Sequence, residues 1–295
     1  MSTHAEPAVV ASVIMCAYNE EGVIGEQLAA LAAQRTDVAW ELLVVDNGST
    51  DGTAALVERW MQNTPHVTGR LMDGSARRGP AFARNLGAAR ARGQLLLFCD
   101  ADDRVTEDWV QDLVTSLRSH PVVGGRLKLD ALNTPDLVEA RRHMFLAENP
   151  VTSHALPFLP YVISANMGYR AEAWKAVGGM DESFPFGEDV DLSWRTQLAG
   201  FPLASSPGAV DYRLRADEKR LIRQQRQYGQ GEYFMRQKYP DRYSPLRVLG
   251  EYRIGLTETL RAFKHRGTPR GHHHKQVAAY KWGLVAAWRA GRRSR

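Results

Sequence analysis

Residues 95–103 read LLLFCDADD, an apolar run that delivers Asp100, Asp102 and Asp103 to one spot. Their like charges repel. A hard divalent cation, Mg2+ or Mn2+, removes that repulsion while keeping waters and substrate phosphates in its shell. The plainer use of the same residues is a helix cap, because a helical segment starts near Thr106. A second acidic group, FPFGEDVDLSWR at 184–195, places Glu188 beside Asp189 at the head of a helical segment. Neighbouring carboxylates raise each other's proton affinity, which suits a general base; a helix dipole also favours acids there without any chemistry. Three further polar clusters carry Ala17, Tyr18 and Glu20 (AYNEE), Asp46 (DNGSTDGT, also readable as an Asx turn) and Arg84 (GPAFARN). Arg77, Arg78 and Arg84 all surround that glycine and proline, and an arginine there can meet a diphosphate in bidentate fashion.

The elements that must position these residues follow from periodicity. Val9–Cys16, Glu41–Val45, Val67–Met72 and Gln94–Cys99 read as strands. Gly22–Gln34, Thr53–Gln62 (capped by Ser49 or Thr50), Pro80–Arg92 and Thr106–Ser119 read as helices between and after them. This alternation predicts an α/β fold whose mostly parallel sheet has helices on both faces, with ligands at the carboxyl ends of the strands. Polar clusters fall at those ends: AYNEE after the first strand, DNGSTDGT after the second and DADD after the fourth. Further on, GGRLKLD and YVISANMGYR read as strands, PDLVEARRHMFLAE and Asp189–Leu198 as helices, NPVTSHALPFLP as a loop and PGAVDYRLR as extended.

VIMCAYNEEGVIGEQLAAL, ELLVVDNGSTDGT and GPAFARNLGAARARGQLLLFCDADD, in this order, resemble the family 2 glycosyltransferases of the GT-A, nucleotide-diphospho-sugar fold, over roughly residues 9–212. That resemblance implies an inverting transferase taking a sugar from a nucleotide-diphosphate donor, UDP by preference, to a small-molecule or glycan acceptor. It implies a nucleoside pocket of Ala17, Tyr18 and Glu20, and Asp46 accepting from the base imide. Arg84 then meets the diphosphate, Asp100 the ribose and the metal shell, and Asp102 the Mn2+ or Mg2+ directly. Asp189 is the implied general base with Glu188 beside it, and Asn166 touches the donor sugar. Where many relatives have a third, histidine metal ligand the matching segment reads AVDYRLR, which offers Asp211 in its place or no third protein ligand. A nucleotidyltransferase of related fold is the competing enzyme class, but AYNEEG lacks its Gly-rich phosphate loop.

Composition sets the remaining bounds. The chain has 295 residues, 44% of them hydrophobic, and two cysteines, Cys16 and Cys99, both inside strands. That usage suits a reduced, cytoplasmic protein without disulfides. No stretch reaches the roughly 20 apolar residues of a membrane span. The net charge of +5 divides unevenly: residues 213–295 hold 21 Lys/Arg against 6 Asp/Glu, leaving 17 against 27 for residues 1–212. The chain therefore reads as a catalytic domain over 1–216 and a basic, mainly helical extension over 217–295. In that extension Val277, Tyr280, Leu284 and Trp288 recur at helical spacing. Packing of the stripe on the acidic body is preferred to peripheral contact with an anionic membrane; no nucleic-acid motif accompanies the charge. His272–His274 read as an exposed loop, with weak metal binding as the alternative.

Overall fold

A computed structural model describes residues 8–141, 150–151, 158–243 and 248–293. Strands β1 (Ala11–Ala17), β2 (Trp40–Asp46), β3 (Gly69–Asp73) and β4 (Leu95–Asp100) run parallel, in the spatial order β3-β2-β1-β4. Helices α1 (Ile24–Ala32), α2 (Thr53–Asn63) and α3 (Pro80–Arg90) connect them. The sheet continues through β7 (Asn166–Arg170), β6 (Val122–Lys128), β8 (Leu203–Asp211) and the two-residue β5 (Arg104–Val105). In this half β7 is antiparallel to both neighbours and β5 antiparallel to β8, so the eight-stranded sheet is mixed. Helices α4 (Trp109–Ser119), α5 (Pro135–Arg141), α6 (Ala171–Ala176) and α7 (Glu188–Leu198) complete this part.

Successive strand residues point to opposite faces, and the buried side chains divide accordingly. Val13, Met15, Leu42, Val44, Leu97 and Cys99 meet α1 and α4 through Leu28, Leu31, Trp109 and Leu113. Ile14, Leu43, Leu96 and Phe98 join Met167, Tyr169, Trp174 and Leu192 on the other face. Strand β1 is buried on both faces, which is why its sequence does not alternate and is apolar apart from Ser12, whose hydroxyl donates to Glu41 Oε1 at 2.7 Å.

Several local expectations are corrected. Helix α2 is entered from Gly52 with no side-chain cap; Ser49 is held by Asp46 instead, and the Thr50 N–H by Asn19. Only Asn166–Arg170 of the segment 161–170 is a strand, and α6 follows it directly. The helix expected over 135–148 is present as α5 over the described residues 135–141; its remainder lies outside the described residues, as does most of the loop at 149–160.

The C-terminal part is helical: α8 (Glu218–Lys238), whose N-cap Asp217 accepts from the Arg220 N–H at 2.6 Å, then α9 (Val248–Lys264) and α10 (Pro269–Arg293). Met235 of α8 enters a cluster with Phe184, Val190 and Trp194, and Lys238 reaches Asp181 at 2.7 Å and Asp191 at 2.8 Å. Helix α10 packs on α8 with Ala278, Ala279, Leu284 and Val285 buried, and Gly229 and Gly283 allow the two backbones to touch. His272–His274 belong to α10 and not to a loop; His272 meets Glu218, and His274 meets Glu258, each at 2.6 Å.

Candidate active site

Strand register sets the carboxyl ends of β1, β2 and β4 side by side: Ala17 pairs with Asp46 and Cys16 with Asp100. The loops leaving β1 and β2 are zipped together. Asn19, in the left-handed region at φ 57°, accepts from the Thr50 N–H at 2.7 Å, while its own N–H donates to Ser49 Oγ at 3.0 Å. The Glu20 N–H donates to Thr53 Oγ1 at 2.9 Å. Asparagine is one of the few side chains that tolerates this backbone conformation. Tyr18 is left 43% exposed at the rim, with the Arg78 guanidinium 5.4 Å from its ring and donating to its hydroxyl at 3.2 Å. Asp46 is half-buried and, in place of the Asx turn, accepts the Ser49 N–H three residues on at 3.2 Å and the Ser49 hydroxyl. Ala17 is buried and contributes its carbonyl to the Asn47 N–H.

Beside this rim, Asp100, Asp102 and Asp103 bring carboxylate oxygens within 4.8 Å of one another. Their loop is held from two directions. Gln27 of α1 donates to the Asp100 carbonyl and accepts the Val105 N–H, both at 2.9 Å. Arg213, just past β8, donates its N–H to Asp103 Oδ1 at 2.7 Å and its Nε to the Asp102 carbonyl at 2.8 Å. Burial, reinforced by the charge of Asp100, pushes Asp102 up to about 6. Burial also carries Asp103 well above the usual carboxylate range, helped by Asp102 and Asp100. Glu20 rises to about 7 through burial and then through Asp102. Asp103 is 1% exposed and its Oδ2 has no hydrogen-bond partner. Three hard anionic donors, one of them buried with an unsatisfied oxygen, fit a divalent cation of the Mg2+ or Mn2+ type.

The third carboxylate of this group is Asp103, not Asp211. Register places Asp211 opposite Arg104 in the β5–β8 pair, where Arg104 Nε and Nη2 donate to Asp211 Oδ2 at 3.1 and 2.9 Å and Lys128 stands 3.8 Å away. Arg104 satisfies Oδ2 while the buried Oδ1 has no hydrogen-bond partner, and Asp211 stands outside the cluster formed by Asp100, Asp102 and Asp103.

Arg84 is 4% exposed and links the two acidic clusters. Its Nη2 donates to Asp100 Oδ1 at 2.7 Å and its Nη1 to Glu188 Oε1 at 3.2 Å. The guanidinium expected to meet a diphosphate thus clamps the end of β4 to the start of α7. Burial raises Glu188 to about 7, with Asp189 adding and Arg84 opposing. Asp189 is also raised by burial, while the Ser164 N–H at 3.2 Å and the Val190 N–H at 2.9 Å stabilise its charged form. Gly187, at φ 82°, turns the chain into α7 so that this pair faces the aspartates. Asp191 points away, bound by Arg195 Nε, Lys238 and the Tyr239 hydroxyl, each at 2.8 Å.

Asn166 is not at the cleft. It is fully buried, accepting from Trp109 Nε1 at 2.8 Å and donating to the Arg126 and Gly208 carbonyls at 2.9 and 3.1 Å. Those bonds stitch α4, β6 and β8 to β7 and leave it no route to a sugar. Other groups at the site were not singled out from the sequence. Arg215 stands within electrostatic reach of Glu20 and Asp102, and Tyr228 of α8 within reach of Asp189, Glu188 and Asp100. The available signal was position: Arg213 and Arg215 directly follow a strand that ends at the ligand edge, although their composition reads as the basic tail.

This mixed sheet, with an acidic cluster at its carboxyl edge and a helix opening on paired carboxylates, defines a GT-A fold. Residues 12–177, more than half of the chain, match the family described as Glycosyl transferase family 2, and residues 95–288 match Glycosyl transferase family group 2. The chain belongs to glycosyl transferase family 2. It is 29% identical over 215 residues to a pre-mycofactocin glycosyltransferase of Mycobacterium tuberculosis, covering 71% of this chain and 45% of that protein. It is 26% identical over 224 residues to the glycosyltransferase AglE of Haloferax volcanii, covering 75% of this chain and 72% of AglE. Among solved structures, the mannosyltransferase PcManGT of Pyrobaculum calidifontis, in complex with GDP-Man and Mn2+, superimposes with a TM-score of 0.59 at 19% identity over 99% of this chain and 76% of its own. Residues 1–349 of TarS from S. aureus, in complex with UDP, do so with a TM-score of 0.53 at 19% identity over 96% and 92%.

Proposed function

We propose that this protein is a metal-dependent, inverting glycosyltransferase that moves a sugar from a nucleotide-diphosphate donor, preferentially UDP-linked, to an acceptor hydroxyl. One observation carries the reading: Arg84 joins Asp100 and Glu188, fixing the cation-compatible aspartates beside the carboxylate pair of α7. Among the structural relatives, PcManGT binds GDP-Man and Mn2+ and TarS binds UDP, which supports the same reading.

Tyr18 and Glu20 flank the nucleoside, and Asp46 accepts from the base imide with the lone pairs that Ser49 leaves free. Asp100, Asp102 and Asp103 would hold Mn2+ or Mg2+, which when bound neutralises charge on the diphosphate. Arg215 faces the same anion, a cation placed where negative charge grows on the leaving group. Asp189 takes the proton of the acceptor hydroxyl as that oxygen bonds to the sugar C1 from the face opposite the diphosphate, whose C1–O bond breaks. Burial keeps Asp189 more basic than a solvated aspartate, and its two backbone donors keep it charged and oriented.

The decisive variant is Asp189→Asn, which keeps the size and loses the base. Transfer should fall by at least ~100-fold, while calorimetry finds nucleotide binding within about twofold of the parent. Undiminished turnover removes Asp189 from the reaction; retained anomeric configuration in the product, read by NMR, removes the inverting mechanism.

A further inference from the structure

Helix α9 presents an uncovered apolar stripe. Leu249, Tyr252, Leu256, Leu260 and Phe263 are 83, 39, 47, 63 and 78% exposed. They recur at intervals of three and four residues, one face of a 3.6-residue helix. The opposite face docks on the neighbouring helices: Gly255 against Trp282, Ala262 buried, and both carboxylates, Glu251 and Glu258, turned inward to Lys281 at 2.7 Å and His274 at 2.6 Å. The outer surface of α9 and the turn after it therefore carry the exposed cations Arg253, Lys264 and Arg266 around the stripe and no outward carboxylate of α9. Among the described residues no helix is long and apolar enough to cross a membrane.

Apolar side chains fringed by cations, on a segment holding 21 Lys/Arg against 6 Asp/Glu over residues 213–295, match one chemistry: the interface of an anionic bilayer. We infer that α9 lies flat on anionic lipid, its leucines and Phe263 among the acyl chains and Arg253 and Lys264 at the headgroups. The stripe of α10 is spent on packing against α8, which leaves α9 as the surface for this contact. A basic patch alone would bind only electrostatically, and an apolar stripe alone would not distinguish lipid charge. Here both lie on one helix face, so binding depends on both.

The full chain is sedimented with vesicles of phosphatidylcholine alone and of phosphatidylcholine with phosphatidylglycerol. The chain should pellet with the anionic vesicles and not the neutral ones. Leu260→Asn with Phe263→Asn, both exposed and so without a folding role, should lower partitioning at least ~10-fold at unchanged melting temperature. Arg253→Gln and Lys264→Gln should each lower it about fivefold, a second readout if the apolar pair perturbs folding. Partitioning that ignores these changes, or is equal on neutral lipid, overturns the inference. So does a dimer, seen by light scattering, that the Leu260→Asn/Phe263→Asn variant dissolves in a protein that binds no vesicles; the stripe is then an interface between copies.

Discussion

At the scale of single residues, the most consequential placement is Arg84. A surface ion pair such as Arg77 with Glu182, at 2.6 Å and half-exposed on the arginine side, contributes about 0–1 kcal/mol. Arg84 is buried and answers two carboxylates at once, so removing it strands charge in a poorly solvated place, at about 3–5 kcal/mol. Lysine keeps the charge but not the fork that spans Asp100 and Glu188. Arg84→Lys should therefore lower the melting temperature by several degrees and cost at least ~10-fold in turnover, because the aspartate loop and the base are no longer held together. A variant with wild-type melting and turnover would show that the bridge positions nothing. The grouping of Asp100, Asp102 and Asp103 was legible in the sequence because all three follow one apolar strand within four residues. Asn166 and Asp211 were misread because partners decide their roles: three buried hydrogen bonds for one, Arg104 across a strand pair for the other.

At the scale of elements, the alternating first half was readable from apolar periodicity, and the antiparallel β7 was not, since strand direction follows from chain return and leaves no mark on the local pattern. The stripe of α10 was legible, but its burial against α8 depends on two facing glycines that periodicity ignores. What fixes Arg84 in space is the seating of α3 on the sheet, and Gly87 sets that distance. A Cβ there would lie 2.5 Å from Ile14 Cγ2 and 3.4 Å from Val45 Cγ2, inside a layer buried on both faces. Gly87→Ala gains helix propensity worth about 1 kcal/mol, yet overpacking of this kind costs about 1–3 kcal/mol. The second effect wins. We expect net destabilisation in urea titration, together with weaker nucleotide binding as Arg84 is displaced. Stabilisation by the alanine would mean that α3 rides on the sheet with room to spare.

At the scale of the whole molecule, the acidic body and the basic helical part meet through Lys238, Asp181, Asp191 and the aromatic cluster around Trp194, but the cleft itself keeps an excess of carboxylates. Burial raises Glu20 and Glu188 to about 7 and Asp102 to about 6. In the unfolded chain these groups titrate near 4. Between those values the folded protein holds more protons than the unfolded one, so stability declines as pH rises through about 5 to 7.5. Asp181 has the opposite sign: Lys238 and Ser183 pull it down to about 2 against its burial, and its contribution is lost only as pH falls below 4, outside this window. A divalent cation does at high pH what protons do at low pH. Mn2+ should thus raise the melting temperature by a few degrees at pH 8 and much less at pH 5.5, and Glu20→Gln, lacking one raised group, should flatten the pH dependence measured in EDTA. Scanning fluorimetry with EDTA or Mn2+ across that range decides it: a metal-free melting temperature that climbs from pH 5 to 7.5 in the parent, or a Mn2+ shift equal at both ends, would mean that the crowded carboxylates are not what the cation relieves.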